Sequence, residues 1–450
     1  MLELNVKGNL LSYIYIKNVI KAFLFSTFAF LAFSQHTDAA NLDKSIFYVS
    51  NNGSDSYDGT IDAPWRTIQK AADSLKPGDT VYVRGGTYAE FVSITNSGSK
   101  EEGYISFKAF PGEIPVLEGE NLTIKSGNRA LFHLENTHYI ILKGFEIRNL
   151  STDDSKKYPT GILVSEGGSN IQLLNNHVHH IKNMSKKGNA HGILFYGNSS
   201  QKMSDIKIEN NNIHHLTLGS SESLTLSGNI DGFTISRNSI HHNNNIGIDV
   251  AGFYDACETN CLDQVRNGTI SYNKVYDNSS GKNPVYRGSH SAAGIYADGS
   301  TNIEIKNNFI YNNDFGIELA SENYGKQTSY ISAKNNVVYN NNGAGIIIGG
   351  ASVSNGGAYK NVVTNNILSF NDQLKEGYGE ITVQWNASEN QFINNVIYSK
   401  NKKNIIQQND PNENSNLFIN NSIYAFEKQP SLTKRITTKI KNIFNEKDDD

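Results

Sequence analysis

This 450-residue chain contains only two cysteines and has no excess of basic over acidic residues. Its two cysteines, Cys257 and Cys261, have no histidines nearby in the sequence, and two thiolates alone make a poor zinc site. Lysine and arginine number 40 against 44 aspartates and glutamates, so the basic stripe typical of nucleic-acid binders is missing. The apolar run from Ala22 to Phe33 is too short to span a bilayer well. These absences argue against a zinc site at the two cysteines, against nucleic-acid binding and against a membrane-embedded protein.

Residues 1–40 have the pattern of a secretory signal peptide. Lys17 and Lys21 precede the apolar run, and residues 37–39 offer small side chains at a cleavage site. We therefore expect a secreted or periplasmic protein with no stable membrane insertion after cleavage. In such an oxidising compartment, Cys257 and Cys261 are expected to form a disulfide that pins a small loop.

A short phrase beginning with asparagine recurs from the middle of the chain almost to its end. It reads asparagine, any residue, isoleucine or valine, and then usually tyrosine or histidine. Its copies begin at Asn176, Asn211, Asn238, Asn273, Asn308 and Asn336, with looser copies at Asn366, Asn395 and Asn421. Successive asparagines are separated by 35, 27, 35, 35, 28, 30, 29 and 26 residues, a drifting period that indicates a solenoid. The segments between them alternate with period two, as at Ile303–Lys306, which argues against a helical repeat.

This repeat predicts an all-β fold, a single-stranded parallel β-helix with one coil per repeat. When every coil turns the same corner, an inward-pointing asparagine amide can bond the amides of the coils above and below it, and the stacked ladder satisfies buried polar groups. The aliphatic and phenylalanine side chains of each coil then form one continuous core, which no single coil could bury alone.

The repeat also sets the domain boundaries. Residues 41–106 are predicted to form an N-terminal cap and the first strands, with an amphipathic helix at Thr67–Leu75 that covers the open end of the solenoid. Residues 107–425 are predicted to form the coils. Residues 426–450 are predicted to form a charged C-terminal tail, in which residues 434–444 could be a short basic helix.

A second phrase follows in each coil, usually a glycine and then an aliphatic residue. Strand alternation sends its second and fourth residues inward and its third and fifth outward. Aligning the coils predicts one outward column of Thr225, Asp249, Tyr296, Glu318 and Ile347, with Ser227, Ala251, Asp298 and Ala320 beside it. Because adjacent coils stack roughly 4.8 Å apart, the carboxylates of Asp249, Asp298 and Glu318 are expected to face one groove, where Asp298 and Glu318 are exposed.

Two long loops, residues 253–267 and 277–291, flank this groove, and long loops beside a regular solenoid generally build a binding site. The candidate catalytic residues are Asp249, Tyr296, Asp298, Glu318, His290 and Arg287, and the candidate substrate-binding residues are Tyr196, Arg266, Lys282 and Tyr254. Aromatic faces pack on pyranose rings while charges engage hydroxyls or carboxylates, so the groove suits an extended acidic polysaccharide. Its carboxylates could hold calcium, serve as an acid and base pair for glycoside hydrolysis, or merely keep a sheet edge soluble.

Histidine pairs occur in three copies of the asparagine phrase, at His179-His180, His214-His215 and His241-His242. We expect one histidine of each pair to point inward and stack rather than to bind a metal. His191 and His290 directly precede groove strands, where a histidine could act as a general base.

Several stretches resemble the family-nine pectate lyases of the pectate lyase L type. They are Ile240–Asp249, Asp277–Ser291 and Asn313–Glu318, together with the opening segments Phe47–Gly53, Pro77–Thr80 and Gly86–Tyr88. The resemblance implies a right-handed β-helix of the pectin-lyase-like type, calcium bound by aspartates of neighbouring coils, and a lysine that removes the proton alpha to a uronate carboxylate. Carried over by position, the calcium aspartates fall on Ala293, Asp314, Phe315 and Glu318, and the lysine falls on Ile347. Asp314 and Glu318 are thus left as calcium ligands, and the base is absent.

The function predicted from these features is cleavage of an acidic, uronate-containing polysaccharide by β-elimination, in a protein expected to be monomeric. Without the lysine, elimination needs Arg287, Arg266 or Lys282 to supply charge, and His290 or Tyr296 to move protons. The alternatives are a glycoside hydrolase or a uronate epimerase that uses the groove carboxylates, and a non-catalytic polysaccharide-binding or export module. Fold alone does not choose among them.

Overall fold

The coils wind into a parallel β-helix, as the repeat predicts. The computed structural model describes residues 45–257, 260–399, 405–409 and 415–425. Parallel pairing runs from the strand Ile46–Val49 at one end to Ser422–Ala425 at the other. The predicted signal peptide and the predicted charged tail lie outside the described residues. No helix within the described residues is long and apolar enough to cross a membrane.

Each full coil contributes strands to three stacks, which we call the pocket sheet, the side sheet and the back sheet. Two long strands, Gly127–Lys143 and Lys157–Leu174, bend from the pocket sheet into the side sheet and join them. The other pocket strands are Val92–Ile94, His191–Gly197, Leu224–Gly228, Ile248–Ala251, Ala293–Asp298, Phe315–Ser321, Ile346–Gly350, Ile381–Val383 and Ile406–Gln408.

The side and back sheets complete each coil. The side strands are Ile46–Val49, Thr80–Val83, Ile105–Ala109, Ile206–Glu209, Ile230–Ser236, Val265–Ser271, Thr301–Lys306, Thr328–Ser329, Ser332–Lys334, Ala358–Tyr359, Val362–Thr364, Ala387–Ser388, Gln391–Ile393 and Leu417–Ile419. The back strands are Gly86–Tyr88, Pro115–Glu118, Glu146–Arg148, His177–His179, Asn212–His214, Ser239–His241, Lys274–Tyr276, Phe309–Tyr311, Val337–Tyr339, Ile367–Ser369, Val396–Ser399 and Ser422–Ala425. A short extra pair joins Ser151–Thr152 to Lys182–Asn183.

A continuous apolar core fills the inside of the coils. Because strand side chains alternate, the middle residue of the three-residue back strands from Glu146–Arg148 onward points inward, as Ile147 does. The fully buried side chains in this core include Phe107, Phe132, Phe145, Phe195 and Phe392. Every coil buries its apolar residues against its neighbours, which is why a solenoid of this kind is stable only as a stack.

The predicted ladder of asparagine amides is confirmed. The Nδ2 atom of Asn308 donates to Asn336 Oδ1 at 3.0 Å and to the carbonyl of Ile270 at 2.9 Å, while its Oδ1 accepts from Asn273 Nδ2 at 3.0 Å. The same contacts join Asn176, Asn211, Asn238, Asn273, Asn308, Asn336, Asn366, Asn395 and Asn421. Each buried amide therefore finds its partners in the adjacent coils.

A second amide ladder, which the sequence analysis missed, runs along the other end of the back strands. It joins Asn243, Asn278, Asn313, Asn341 and Asn371. Asn371 then donates to the buried carboxyl of Glu380 at 2.7 Å, which ends the ladder. Single left-handed residues such as Asn175, Asn210 and Asn307, with φ of 55–57°, turn the chain just before the first ladder, a conformation that asparagine tolerates better than most residues.

The predicted capping helix is present at Ile68–Ser74. Thr67 begins it, because its hydroxyl accepts the backbone N–H of Lys70 at 3.1 Å and satisfies one of the free donors of the first turn. Ile68, Ala71 and Ala72 are buried, so this amphipathic helix packs on the first coils.

The prediction that one histidine of each pair points into the core is wrong. The inward positions of these strands hold the fully buried residues Val178, Ile213 and Ile240, since alternation places their sequence neighbours outside. His179, His214 and His241 instead stack face to face on the outside of the back sheet, with ring centroids 5.1 and 4.9 Å apart. The stack continues through Tyr276, Tyr311 and Tyr339.

We expect Asn308→Ala to lower the free energy of unfolding by about 1 to 3 kcal/mol, because it leaves the amides of the two neighbouring coils without their partner. Chemical denaturation of the purified protein measures this. The exposed Asn121 is the matched control, and Asn121→Ala should change stability little. Equal stability of the two variants would contradict the ladder's role.

Candidate functional site

A cavity of about 440 Å³ lies on the outer face of the pocket sheet. It is lined by Tyr158, Asn189, His191, Leu194, Tyr196, Ser220, Ser221, Glu222, Thr225, Ser227, Ile246, Asp249, Ala251, Tyr254, Tyr286, Tyr296, Asp298 and Glu322. The lining contains four carboxyl groups, five tyrosines and no lysine or arginine. A pocket with this composition offers aromatic faces and acids to a polar ligand, and no cationic side chain.

The register of the pocket strands confirms the predicted columns. Thr225 pairs with Asp249, Asp249 with Tyr296, and Tyr296 with Glu318. In the second column, Ala251 pairs with Asp298. Residues 47 positions apart in sequence, such as Asp249 and Tyr296, are therefore neighbours in space because each coil returns to the same place.

The carboxyl groups of Asp249 and Asp298 are buried, which corrects the expectation that Asp298 is exposed. Asp249 is 5% exposed and Asp298 is 3% exposed. The Oδ1 atom of each has no hydrogen-bond partner within the protein, although a buried polar atom normally has one. Two such atoms in the lining of one cavity indicate a place where a ligand completes the hydrogen bonding.

Glu222 and Glu322 also line the cavity and were not among the residues predicted from the sequence. The Glu222 carboxyl accepts a hydrogen bond from the Thr225 hydroxyl at 3.0 Å. The Thr225 oxygen lies 3.2 Å from Nδ1 of His191. These contacts extend the acidic lining from Asp249 to Glu222. Glu318, which was predicted to be an exposed catalytic residue, is half-buried and does not line the cavity.

The electrostatics of the pocket favour protonated carboxyl groups. Burial, and then the charges of Glu222 and Asp298, raises the pKa of Asp249 well above its usual range. Burial also raises the pKa of Glu222 to about 7 and, reinforced by the charge of Glu322, the pKa of Glu318 to about 8. Burial raises the pKa of Asp298 as well. Acids close together in a low-dielectric site resist ionising at the same time.

The loop that follows Ile248–Ala251 closes one side of the cavity. Its tyrosine, Tyr254, donates a hydrogen bond from its hydroxyl to Oδ2 of Asp298. Cys257 and Cys261 in the same loop are disulfide-bonded, with Cα atoms 6.3 Å apart, which confirms the predicted pairing. The disulfide shortens the loop that carries Tyr254.

The second predicted loop also reaches the cavity, through Tyr286. Its hydroxyl accepts from Nδ2 of Asn245 at 3.0 Å. Lys282 and Arg287, which the sequence placed at the substrate, are exposed and do not line the cavity. The loop therefore contributes an aromatic ring and no positive charge.

Three further sequence candidates lie elsewhere. Arg266 belongs to the side sheet, where its guanidinium is 3.5 Å from a carboxylate oxygen of Asp231. His290 Nδ1 lies 2.8 Å from Oδ1 of Asp314, and neither residue lines the cavity. Tyr196 and Tyr254, the remaining substrate-binding candidates, do line it.

Asp314 anchors a loop, which contradicts its predicted role as a calcium ligand. Its oxygens accept from the backbone N–H groups of Ser280 and Ala292, at 2.7 and 3.1 Å, and from Nδ2 of Asn342 at 2.8 Å. The hydroxyl of Ser279 donates to Asp314 at 2.7 Å. A carboxylate surrounded by donors in this way has no free oxygen for a cation, so Asp314 and Glu318 do not form a shared site.

The cavity carboxylates do not fit a preassembled calcium site. Calcium takes six to eight oxygens at 2.3–2.6 Å, which requires ligand atoms to converge. Among the residues that the structure describes, one group of three potential ligand side chains has all its donor atoms within 4.8 Å of one another. This group lies on the back sheet and not in the cavity. The carboxyl groups of the cavity are thus close enough to influence one another's pKa, but their oxygen atoms do not converge on one point.

Comparison with known proteins supports the fold. A family model described as Pel9A-like, right handed beta helix region matches residues 47–247, and one described as right handed beta helix region matches residues 160–359. A lacto-N-biosidase of family GH136 from Eubacterium ramulus has a similar structure, with a TM-score of 0.60 at 15% identity over 85% of this chain and 68% of that chain. The predicted right-handed winding is confirmed.

Two relatives are similar in sequence. Over 390 residues the chain is 39% identical to the uncharacterized protein YwoF of Bacillus subtilis (strain 168), covering 86% of this chain and 82% of that protein. Over 113 residues it is 35% identical to the pectate lyase PEL9 of Emericella nidulans, covering 23% of this chain and 27% of the lyase.

The raised pKa of Asp249 predicts a stability that depends on pH. The folded chain binds this proton more tightly than the unfolded chain, in which the pKa is near 4. The stability contributed by protonated Asp249 is therefore full below about pH 4 and is lost as the pH rises through the folded pKa. We expect Asp249→Asn to raise the Tm by at least about 2 °C at pH 8 and much less at pH 5.

Thermal unfolding of both proteins at the two pH values measures this difference. Asp153→Asn is the control, because Asp153 is exposed and its removal should shift the Tm equally at both pH values. A Tm difference for Asp249→Asn that does not grow between pH 5 and pH 8 would show that the carboxyl ionises freely in the folded protein.

Proposed function

This chain belongs to the same family as YwoF, and its residues 47–247 match the Pel9A-like right handed beta helix model. We propose that it is an enzyme that acts on a polysaccharide and hydrolyses glycosidic bonds. The observation that carries this proposal is the pair of buried aspartates, Asp249 and Asp298, whose Oδ1 atoms lack partners in the lining of the cavity. Glycoside hydrolysis uses two carboxyl groups, one protonated and one ionised, on either side of the bond that breaks.

The environments of the two aspartates differ in the way that this chemistry needs. Burial raises the pKa of Asp298 as it does that of Asp249, but Tyr254 also donates a hydrogen bond to Asp298, which favours the ionised form of that carboxyl. Asp249 is buried and lies near the negative charges of Glu222 and Asp298, and both its burial and these charges favour its protonated form. Asp249 is therefore assigned as the acid and Asp298 as the carboxylate.

In the proposed reaction, Asp249 donates its proton to the glycosidic oxygen as the bond from that oxygen to the anomeric carbon breaks. Asp298 accepts a proton from the water molecule that attacks the anomeric carbon. The leaving sugar then carries the proton of Asp249, and the new hydroxyl carries the oxygen of water. The strand spacing places the two Cα atoms roughly 8 Å apart, so a sugar unit can lie between the side chains.

The tyrosines supply the binding surface. Tyr158, Tyr196 and Tyr286 line the same cavity as the two aspartates, and their rings can pack on the apolar faces of pyranose units. The lining contains no lysine or arginine that could pair with a uronate carboxylate. The site therefore favours an uncharged sugar unit next to Asp249 and Asp298, within a polymer whose other units contact the loops.

Elimination from an acidic polysaccharide is the second candidate, because the sequence is similar to that of a pectate lyase, PEL9. That reaction needs a base and a group that neutralises the uronate carboxylate. Ile347, at the position of the family's lysine, is buried and apolar, and Lys282 and Arg287 lie outside the cavity. The residues present thus support hydrolysis better than elimination.

Export from the cytoplasm is part of the proposal, since an enzyme that cleaves a polysaccharide outside the cell membrane must reach it there. The Cys257–Cys261 disulfide supports it, because disulfides persist in oxidising compartments. Amino-terminal sequencing of the protein recovered from the culture medium or periplasm tests export directly.

Product analysis distinguishes the two reactions. Incubation with a panel of neutral and acidic polysaccharides, with and without added calcium, should give new reducing ends without the ultraviolet absorbance of an unsaturated uronate. We expect Asp249→Asn and Asp298→Asn to lower turnover by at least about 10²-fold, the usual contribution of an acid or base.

Lys282→Ala and Arg287→Ala are the matched controls, because both residues lie outside the cavity, and turnover should change little. Product absorbance at the rate of chain cleavage would establish elimination instead. Turnover that survives both aspartate substitutions but is lost in Arg287→Ala would overturn the assignment of the site.

A further inference from the structure

Histidines are concentrated on the outside of the back sheet. Seven of the 12 histidines lie there in three successive coils, and we call them the histidine ribbon: His177, His179, His180, His214, His215, His241 and His242. The proposed reaction uses none of them, because the ribbon lies on a different sheet from the cavity.

Stacking alone does not account for imidazoles in the ribbon. The ring stack of His179, His214 and His241 continues through Tyr276 and Tyr311, with centroids 4.7 and 4.9 Å apart. Tyrosine therefore fills the same place in the coil just as well. The histidines add ring nitrogens, which are ligand atoms that phenol rings lack.

Three donor atoms converge at one end of the ribbon, and a ring nitrogen of the next coil lies against one of them. Glu146, His177 and His179 place a carboxylate oxygen and two ring nitrogens within 4.8 Å of one another. His179 Nε2 lies 3.2 Å from Glu146 Oε1. His177 Nε2 lies 2.6 Å from Nε2 of His214, which adds a third nitrogen from the next coil.

We propose that Glu146, His177, His179 and His214 bind a divalent transition metal, with Zn²⁺ as the best fit. Three nitrogens and one carboxylate oxygen form a tetrahedral ligand set of the kind that zinc takes. Zinc–nitrogen bonds of about 2.0–2.1 Å place ligand nitrogens roughly 3.3 Å apart, so the His214 ring has to turn from His177 toward the other two ligands when the metal binds. Calcium and magnesium prefer oxygen ligands and should bind weakly.

Arg148 competes with the metal for Glu146 and has another partner available. Its guanidinium contacts Glu146 and also donates from Nε to Glu118 at 2.8 Å. A metal that takes the Glu146 oxygen leaves the Glu118 pair intact. Because the four ligands come from three successive coils, bound metal should hold those coils together and stabilise the folded protein.

Zinc binding is tested on the untagged, EDTA-treated protein by calorimetric titration, by thermal unfolding, and by the visible spectrum of Co²⁺ as a probe of geometry. We expect one Zn²⁺ per chain, a Tm that rises with zinc concentration, and the intense absorption of tetrahedral Co²⁺. Calcium and magnesium should leave the Tm unchanged.

The sequence offers substitutions that remove ligands while keeping the coil intact. His177→Asn copies Asn212, its partner in the register of the next coil, and His214→Tyr copies Tyr276 in the ring stack. Each should weaken zinc binding by at least about tenfold. His241→Tyr is the matched control, because it makes the same change within the ribbon but outside the four ligands, and it should bind zinc like the wild type.

Thermal unfolding of each metal-free variant establishes that it is folded. Absence of zinc binding at millimolar concentrations would overturn the proposal. Undiminished binding in the double variant of His177→Asn and His214→Tyr would do the same, as would an equal loss in His241→Tyr. All of these readouts are independent of polysaccharide cleavage, so they do not depend on the proposed reaction.

Discussion

Hydrogen bonding between equivalent side-chain amides of successive coils is the constraint on which the rest of the structure depends. Each ladder asparagine donates to the asparagine of the following coil and to a buried carbonyl, as Asn308 does with Asn336 and Ile270. A coil that slipped by one residue would leave these amides unpaired and would turn its apolar residues outward. The first ladder therefore holds the coils from Asn176 to Asn421 in register, and the second reinforces the register from Asn243 to Asn371. Coil length can still vary from 26 to 35 residues, because the extra residues lie in loops between the fixed corners.

Fixed register explains why an acidic pocket can form on a regular solenoid. Side chains at equivalent strand positions lie side by side, so Asp249, Tyr296 and Glu318 become neighbours. The two loops inserted near this column supply Tyr254 and Tyr286 and keep the carboxyl groups away from water. Burying several acids without a cation costs folding free energy, and the raised pKa values express that cost. Proteins tolerate such arrangements mainly at functional sites. In the proposed reaction, the same burial keeps Asp249 protonated for use as an acid.

The sequence was sufficient for features that follow from the repeat. The amide ladder, the capping helix, both outward columns and the disulfide were all predicted, because each depends on spacing along the chain. Glu222 and Glu322 were missed because they lie outside the strand phrase that was aligned. Arg266, Lys282 and Arg287 were assigned to the substrate from their loops, although loop membership does not determine where a side chain points. Asp314 was misassigned because positional equivalence with a family ligand does not reveal that its oxygens already accept hydrogen bonds from Ser280, Ala292 and Asn342.

The central claim is that the stacked coils bury carboxyl groups that stay protonated at neutral pH in the pocket. Difference infrared spectroscopy of the wild type against Asp249→Asn at pH 7 tests it most directly, because protonated and ionised carboxyl groups absorb at separate frequencies. The account predicts that the substitution removes a band of protonated carboxyl. Loss of an ionised carboxylate band alone would contradict it, since Asp249 would then be ionised at pH 7 in spite of its burial.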